Sequence, residues 1–198
     1  MNFLPFVRNR MNAEHMSDLT QPIYEQTLVL RAQLGDEAAF AELLTLHGPH
    51  LRSFTRNMMQ SSPQLVDDLM QEIWLAIYKG LPRLRDITRF RPWAFRITRD
   101  RIYREYRRRK MPVQPLAESE MEELPEAGEA PLAFDRAELQ CELDALSPEH
   151  REVLVLCFFE ETSYEEIARV TNTTLGTVRS RIHYAKRALK TALERKII

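Results

Sequence analysis

The chain has 198 residues, a net charge of −1 and 44% hydrophobic residues. This composition provides enough apolar surface for one medium-sized core or two small ones, and it excludes a wholly disordered chain. Only five glycines are present, and the apolar residues mostly recur three or four positions apart, which favours helices over sheets.

Neither the cysteines nor the N-terminus indicates a secreted or membrane-bound protein. Cys141 and Cys157 belong to no CxxC pair and no Cys/His cluster, so we expect reduced thiols in a cytoplasmic protein. The N-terminal extension, residues 1–23, carries an apolar run that is too short for a signal peptide or a membrane span. We therefore expect no membrane insertion.

A first helical block is expected over residues 24–110. Gly35 and Asp36 indicate a break between two helices, while Gly80 and Pro82 indicate the end of a later one. That later helix has an apolar stripe formed by Val66, Leu69, Ile73 and Ile77. The stripe leaves four side chains on polar faces, namely Asp67, Asp68, Gln71 and Glu72. An acidic patch repels DNA and suits a basic protein partner, although an ordinary solvated helix face has the same composition.

The segment from Phe90 to Lys110 mixes aromatic rings with cations. We expect one long helix here, because Pro92 stands where a first helical turn tolerates it. Its rings are Phe90, Trp93, Phe95, Tyr103 and Tyr106, interleaved with seven arginines from Arg96 to Arg109. This mixture suits single-stranded DNA, since bases stack on rings while cations follow the phosphates. The alternative is that the rings belong to the hydrophobic core.

Residues 111–135 differ sharply in composition from both flanking blocks. They contain four prolines and seven acidic residues, with no lysine or arginine. Such a segment cannot bury a core, so the sequence predicts a flexible acidic linker between two domains.

The C-terminal block, residues 136–198, carries helix-start signals. Ser147 precedes Pro148, Ser163 and Glu166 fit a capping box, and Thr173 or Thr174 can cap a third helix. The short turn between the second and third helices predicts a helix-turn-helix, whose second helix enters the major groove of DNA. That helix carries Arg179, Arg181, His183, Lys186, Arg187 and Lys190. A solvated basic helix in a small bundle is the alternative.

Three stretches of this block, 146–154, 163–168 and 176–185, resemble region 4 of the extracytoplasmic-function (ECF) sigma factors. The motifs are LSPEHREVL, SYEEIA and GTVRSRIHYA. The resemblance implies binding of the promoter −35 element. Together with the basic face of the third helix, the resemblance implies DNA contacts at Tyr164, Glu165, Thr177, Arg179, Ser180, Arg181, His183, Tyr184, Lys186 and Arg187.

The N-terminal block resembles region 2 of the same family in the motifs GDEAAF, at 35–40, and DLMQEIW, at 68–74. The second motif resembles the helix that docks on the polymerase clamp, which implies core contacts at Asp67, Asp68, Gln71 and Glu72. Phe90 to Lys110 resembles the part that opens and reads the −10 element. The implied −10 contacts are Arg91, Trp93, Arg96, Arg99, Asp100, Arg104, Arg107 and Arg108. Asp100 and Arg104 depart from the family, which usually has Asn at the first position and often Asp at the second.

The sequence therefore predicts an all-α protein with two small helical domains, joined by a flexible acidic linker, that acts as a sigma factor. Its expected partners are core RNA polymerase, promoter DNA and an anti-sigma factor, with no cofactor, metal or small-molecule substrate. An autonomous transcriptional regulator is a second hypothesis, but such a protein normally adds a sensor or dimerisation domain. An enzyme is a third, but no P-loop, metal-spaced His/Cys cluster or GxSxG motif is present.

Overall fold

The computed structural model describes residues 22–59, 63–109 and 136–194, and every regular element within these ranges is helical. The N-terminal half contains α1 (22–33), α2 (Glu37–Met59), α3 (Pro63–Gly80) and α4 (Phe90–Arg108). The C-terminal half contains α5 (Arg136–Ala145), α6 (Pro148–Leu154), α7 (Tyr164–Thr171) and α8 (Leu175–Glu194). The all-α prediction is confirmed, whereas the predicted linker, 111–135, and residues 1–21 lie outside the described residues.

Short helical turns complete the architecture. Two 3-10 turns, Leu81–Arg83 and Ile87–Arg89, connect α3 to α4. A π turn, Val155–Phe159, continues α6 without a break. None of the helices within the described ranges combines the length and hydropathy that crossing a bilayer requires.

The break between α1 and α2 is made by two residues that the sequence had indicated. Gly35 has a φ of 91°, a left-handed conformation that glycine adopts without steric cost. Asp36 then accepts a hydrogen bond from the Ala39 backbone N–H at 3.1 Å and pairs with Arg31 at 2.7 Å. Both contacts stabilise the ionised carboxylate and therefore lower the pKa of Asp36. The hydrogen bond from Ala39 is the larger cause of this decrease.

The apolar stripe predicted for α3 forms the centre of the N-terminal half. Val66, Leu69, Ile73 and Ile77 are all buried, as a helix with one apolar face requires. Helices α2, α3 and α4 pack on one another around this stripe. Phe54 of α2 and Phe95 of α4 meet edge to face at 5.6 Å between ring centroids.

The helix-turn-helix has the capping bonds that its sequence predicts. Ser147 accepts from the His150 N–H, and Ser163 accepts from the Glu166 N–H. Of the two candidate caps for α8, Thr174 is the one used, because its hydroxyl accepts from the Thr177 N–H at 3.1 Å. Between α7 and α8 the chain turns at Asn172, which is left-handed with a φ of 55° and ends α7.

The two helical halves pack directly against each other. Helix α4 lies along α7, and α2 contacts both α6 and the π turn. One continuous buried cluster contains apolar side chains from both halves, including Phe95, Ile102, Val153 and Ile167. The sequence predicted two domains but not this contact between them.

Arg151 of α6 is a buried connection between several segments. Its guanidinium donates hydrogen bonds to the carbonyls of Leu143, Asp144 and Leu146, at 2.6 to 3.1 Å, around the end of α5. A fourth bond, at 2.9 Å, reaches the Met58 carbonyl near the end of α2 in the other half. A planar guanidinium offers five donors in a fixed fork, which allows one side chain to satisfy four carbonyls.

His47 is buried in the N-terminal half, where its ring lies 5.0 Å from that of Phe90. Burial disfavours the charged imidazolium, and the nearby charges of Arg91 and His50 act in the same direction. Together they lower the pKa of His47 to about 4. The folded protein therefore keeps this imidazole neutral at pH values where an unfolded chain would protonate it.

The His47 environment predicts an acid-sensitive fold. The unfolded histidine takes up a proton below pH 6.5 but the folded one only near pH 4, so its contribution is complete above pH 6.5 and is lost towards pH 4. We expect this residue to remove about 2 kcal/mol of stability between pH 7 and pH 5. Urea unfolding of His47→Gln should show a correspondingly smaller loss over that interval, while His183→Gln should behave like the parent. Equal losses in all three proteins would contradict the assignment.

The fork of Arg151 predicts that even a conservative change is costly. Lysine at this position has three donors on a single nitrogen and cannot reach four separated carbonyls. We expect Arg151→Lys to lower the free energy of unfolding by about 2 kcal/mol or more, because buried carbonyls lose their donors. Arg169→Lys, at an exposed position in α7, is the control and should change little. The assignment is wrong if urea denaturation gives the two variants the same stability.

Candidate nucleic-acid interface

Helix α4 presents an exposed row of charged side chains to solvent. The row consists of Arg96, Asp100, Arg104 and Arg107, which are all exposed and lie at i, i+4, i+8 and i+11 on one face. Arg108 is also exposed, but together with Arg109 it holds the carboxylate of Glu105 at 2.6 Å. The hydrogen bond from Arg108 is the largest cause that lowers the pKa of Glu105 to about 2. Five of the predicted −10 contacts therefore lie on accessible surface.

Two further predicted −10 contacts, Arg91 and Arg99, face the C-terminal half. Arg91 donates to the Glu160 backbone carbonyl, and its guanidinium lies 3.7 Å from the Glu166 carboxylate. Arg99 donates to the Glu152 carboxylate at 2.7 Å. In this arrangement acidic residues of α6 and α7, rather than solvent, stand in front of both arginines.

Most aromatic rings of α4 are not available to bases in this arrangement. Phe90, Phe95, Tyr103 and Tyr106 are buried, so of the two interpretations of these rings the core alternative holds in this arrangement. The spacing of Phe95, Ile102 and Tyr106, at i, i+7 and i+11, is the same apolar signal that identified the stripe of α3.

Trp93 is the remaining ring, and it is half-buried. It packs against Phe90 with 5.9 Å between ring centroids. It also lies so close to the end of α3 that a Cβ at Gly80 would be 3.0 Å from the indole. Gly80 therefore ends α3 and also leaves room for the Trp93 ring.

Helix α8 has an apolar back and a basic front. Val178, Ile182 and Ala185 are buried, while Arg179 and Arg187 are exposed. The half-buried members of the predicted −35 set are Tyr164, Thr177, Ser180, Arg181, His183, Tyr184 and Lys186, and Glu165 is exposed. The ammonium of Lys186 lies over the Phe158 ring at 4.7 Å from its centroid.

Arg181 occupies a different position from the other cations of α8. Its charge lowers the pKa of His150, second to the effect of burial, and it also acts on Glu152. Both groups lie in α6, and the Arg181 side chain is half-buried, whereas Arg179 and Arg187 are exposed.

The four predicted core contacts on α3 are all exposed, and they adjoin an apolar surface. Asp67 pairs with Arg52, and Glu72 lies 3.7 Å from Arg101. On the same side of the helix, Leu75 is 53% exposed and Tyr78 is 50% exposed. Leu75 and Tyr78 were not among the residues predicted from the sequence, although Asp68, Glu72, Leu75 and Tyr78 have the three- and four-residue spacing of one face.

Comparison with known proteins identifies the family of the chain. Residues 43–111 match the family described as Sigma-70 region 2, and residues 136–189 match Sigma-70, region 4. The chain is 32% identical over 190 residues to the ECF RNA polymerase sigma factor SigE of Mycolicibacterium smegmatis, covering 88% of this chain and 70% of SigE. The chain belongs to the ECF sigma factors. It is also 32% identical over 162 residues to the RNA polymerase sigma factor CarQ of Myxococcus xanthus, covering 80% of this chain and 91% of CarQ.

Solved structures of sigma factors resemble this fold. CnrH in complex with the cytosolic domain of CnrY superposes with a TM-score of 0.67 and 25% identity, covering 87% of this chain and 98% of CnrH. The sigma factor RpoE of Bartonella quintana, in complex with the anti-sigma factor NepR, gives a TM-score of 0.62 and 26% identity, covering 78% of this chain and 96% of RpoE. This ECF sigma factor thus directs promoter-specific transcription initiation by RNA polymerase, as its resemblance to regions 2 and 4 had implied.

Proposed function

We propose that this sigma factor reads the two promoter elements with two different helices: α8 binds the duplex at −35, and the exposed row of α4 acts on the separated strand at −10. The observation that carries the proposal is the split of α8 into a buried apolar back and an exposed basic front. A recognition helix needs a rigid back, because groove contacts require side chains fixed to a stable surface.

For the −35 element, the proposal divides the side chains of α8 between base contacts and phosphate contacts. Arg179 is exposed in the second turn, where it can donate to the O6 and N7 atoms of guanine. Ser180, His183 and Tyr184 follow along the helix, while Thr177, Lys186 and Arg187 suit the backbone. Tyr164 and Glu165 begin α7 and approach the DNA beside it. Arg181 is half-buried on the same helix, and the proposal keeps it among the −35 contacts.

For the −10 element, the proposal assigns Arg96, Arg104 and Arg107 to the phosphates of the separated strand. Asp100 stands in the middle of this row and repels phosphate, but its carboxylate can accept from the exocyclic amino group of a base. Trp93 is half-buried at one end of the helix. Arg91 and Arg99 join the −10 surface when the two halves of the protein separate.

The proposal assigns the face of α3 to core RNA polymerase. Asp67, Asp68, Gln71 and Glu72 provide polar and acidic groups, and the exposed Leu75 and Tyr78 extend this surface. Exposed apolar side chains next to carboxylates are typical of a protein interface. The carboxylates also repel nucleic acid.

We also propose the partners and the cellular setting by analogy with the relatives. CnrH and RpoE are solved with CnrY and the anti-sigma factor NepR respectively, so we infer that an anti-sigma factor holds this chain too. The protein acts in the cytoplasm, where polymerase and promoter DNA meet, as a non-catalytic factor. It uses no cofactor and no small-molecule substrate.

The docking face on α3 is tested by reversing its charge. We expect Asp68→Arg with Glu72→Arg to abolish binding to core polymerase in a pull-down, because basic side chains would meet a basic partner surface. The control reverses two exposed carboxylates elsewhere, Glu37→Arg with Glu161→Arg, and should keep core binding. Circular dichroism should show that both variants are folded. Normal holoenzyme formation by the first variant would place the docking face elsewhere.

The division of labour between α8 and α4 is tested by the stage of initiation that each substitution affects. In holoenzyme, Arg179→Ala should weaken closed-complex binding by about 1–3 kcal/mol, if the arginine makes a bidentate guanine contact. Arg96→Ala with Arg107→Ala should instead reduce promoter opening, measured by permanganate reactivity of unpaired thymines. Arg169→Ala, an exposed cation in α7, is the control.

Templates already mismatched at −10 separate melting from strand binding. Such templates should rescue a defect in melting, whereas a defect in holding the strand should persist on them. Arg99→Ala is a poor probe of either role, because it also removes the contact with Glu152 that joins the two halves. If Arg179→Ala leaves closed complexes unchanged and the α4 variant opens promoters normally, an autonomous regulator becomes the better hypothesis.

A further inference from the structure

The contact between the two halves pairs side-chain nitrogens with carboxylates. The N-terminal half contributes two arginines and a histidine, and the C-terminal half contributes three glutamates. The three pairs are Arg99 with Glu152 at 2.7 Å, His50 with Glu160 at 3.0 Å and Arg91 with Glu166 at 3.7 Å. The two arginines belong to the predicted −10 surface, so these residues, which are proposed to meet DNA, also hold the halves together.

Glu152 is the most deeply buried member of this set. Its side chain is 0% exposed, against 21% for that of Arg99. One carboxylate oxygen accepts from Arg99, and the other accepts from the Tyr103 hydroxyl at 3.1 Å. Both oxygens are thus satisfied by α4, although Glu152 itself lies in α6. A buried carboxylate without such donors is strongly destabilising, so this position suits a carboxylate only while the halves are together.

Arg99 is held on two sides at once. Its guanidinium stacks over the Tyr103 ring at 4.4 Å from the centroid, and it donates to the Glu152 carboxylate. A DNA phosphate offers the same kind of anionic oxygen that Glu152 already provides. The Nε–H of Arg99 donates to Glu152. Glu152 of α6 and helix α7, which packs along α4, occupy the side of α4 from which a phosphate would approach Arg99.

We propose that Glu152 is an internal competitor of DNA: it occupies Arg99 and Tyr103, and in this way keeps the two halves closed until polymerase or DNA takes its place. The inference rests on the proposed function, because it concerns the same −10 surface. When a protein must open before it binds DNA, its apparent affinity for DNA equals the affinity of the open form multiplied by the fraction of molecules that are open. The free protein therefore binds single strands weakly even though the exposed row of α4 is accessible.

The second cluster strengthens the same closed arrangement. Glu160 is buried with its side chain 1% exposed, and it meets His50 of α2. Its backbone carbonyl accepts from Arg91, which lies two turns before Arg99 on α4. The other titratable groups that face this cluster are Glu25 from α1, the neutral His47 from α2 and Glu166 from α7. The C-terminal half therefore contacts α4 at two positions, Arg91 and Arg99. At Arg99, both carboxylate oxygens of Glu152 accept hydrogen bonds from α4.

The test measures closure directly in the full-length chain. One dye is attached to Cys141, which is exposed in α5, and one to a cysteine introduced at the exposed Thr45 of α2, with Cys157→Ser in the background. We expect high energy transfer in the parent. Glu152→Gln keeps the shape of the side chain but removes its charge, and should lower the closed-to-open ratio about tenfold or more. Glu161→Gln, an exposed neighbour, is the charge-matched control and should match the parent.

The same proteins are then titrated with a twelve-nucleotide thymidine single strand at fixed salt. Glu152→Gln should bind the strand more tightly by about the factor by which it opens. Arg99→Gln should open the halves like Glu152→Gln, and the double variant should open them no further, since each change removes the same pair. If Glu152→Gln does not fold, Arg99→Gln alone decides the energy-transfer result.

Three results would overturn the proposal. They are a parent that is already open, an unchanged energy transfer in Arg99→Gln and Glu152→Gln, and an opening that brings no gain in strand affinity. Energy transfer requires neither polymerase nor a promoter, so its failure is distinct from failure of the α3 and α8 assignments. A protein that closes as described but shows no promoter opening would instead contradict the proposed function.

Discussion

The structure depends on the surfaces of α4, because this single helix of 19 residues contacts three different surroundings. One side buries Phe95, Ile102 and Tyr106 against the rest of the N-terminal half. A second side places Arg91 and Arg99 against the acidic residues of α6 and α7. The third side leaves a charged row in solvent. A helix has room for about three such stripes. A substitution in α4 therefore affects the core packing, the contact between the halves or the exposed row, according to the side of the helix on which the residue lies.

Those features that depend on neighbouring residues in the chain were predictable from sequence. The caps at Ser147 and Ser163 were identified correctly, and the cap of α8 was narrowed to Thr173 or Thr174, because a capping bond joins residues only three positions apart. The apolar stripe of α3 was equally clear, since every third or fourth residue is aliphatic. Regular spacing carries this information without reference to the rest of the fold.

The surfaces of α4 were harder to predict, because rings and cations alternate on every side of it. Tyr103 is buried while Arg104 next to it is exposed, and both residue types also suit a single-stranded DNA surface. Whether a ring of α4 is buried in the core or available to DNA depends on which elements pack against the helix, and a single sequence does not show this. Glu152 likewise resembles an ordinary helical glutamate until its partners in the other half are known, and the acidic composition of 111–135 suggested independent domains rather than a contact.

The π turn that follows α6 has a consequence for how this contact can change between relatives. A π turn amounts to one residue inserted into an α-helix, and here it lies immediately before Glu160. Loss of that residue would restore regular helix and rotate everything beyond it by about 100°. The Glu160 carboxylate would then leave His50, while α8 and the row on α4 would keep their own sequences. Single-residue insertions and deletions at this turn therefore give evolution a way to adjust how firmly the halves hold each other without altering the residues that read a promoter.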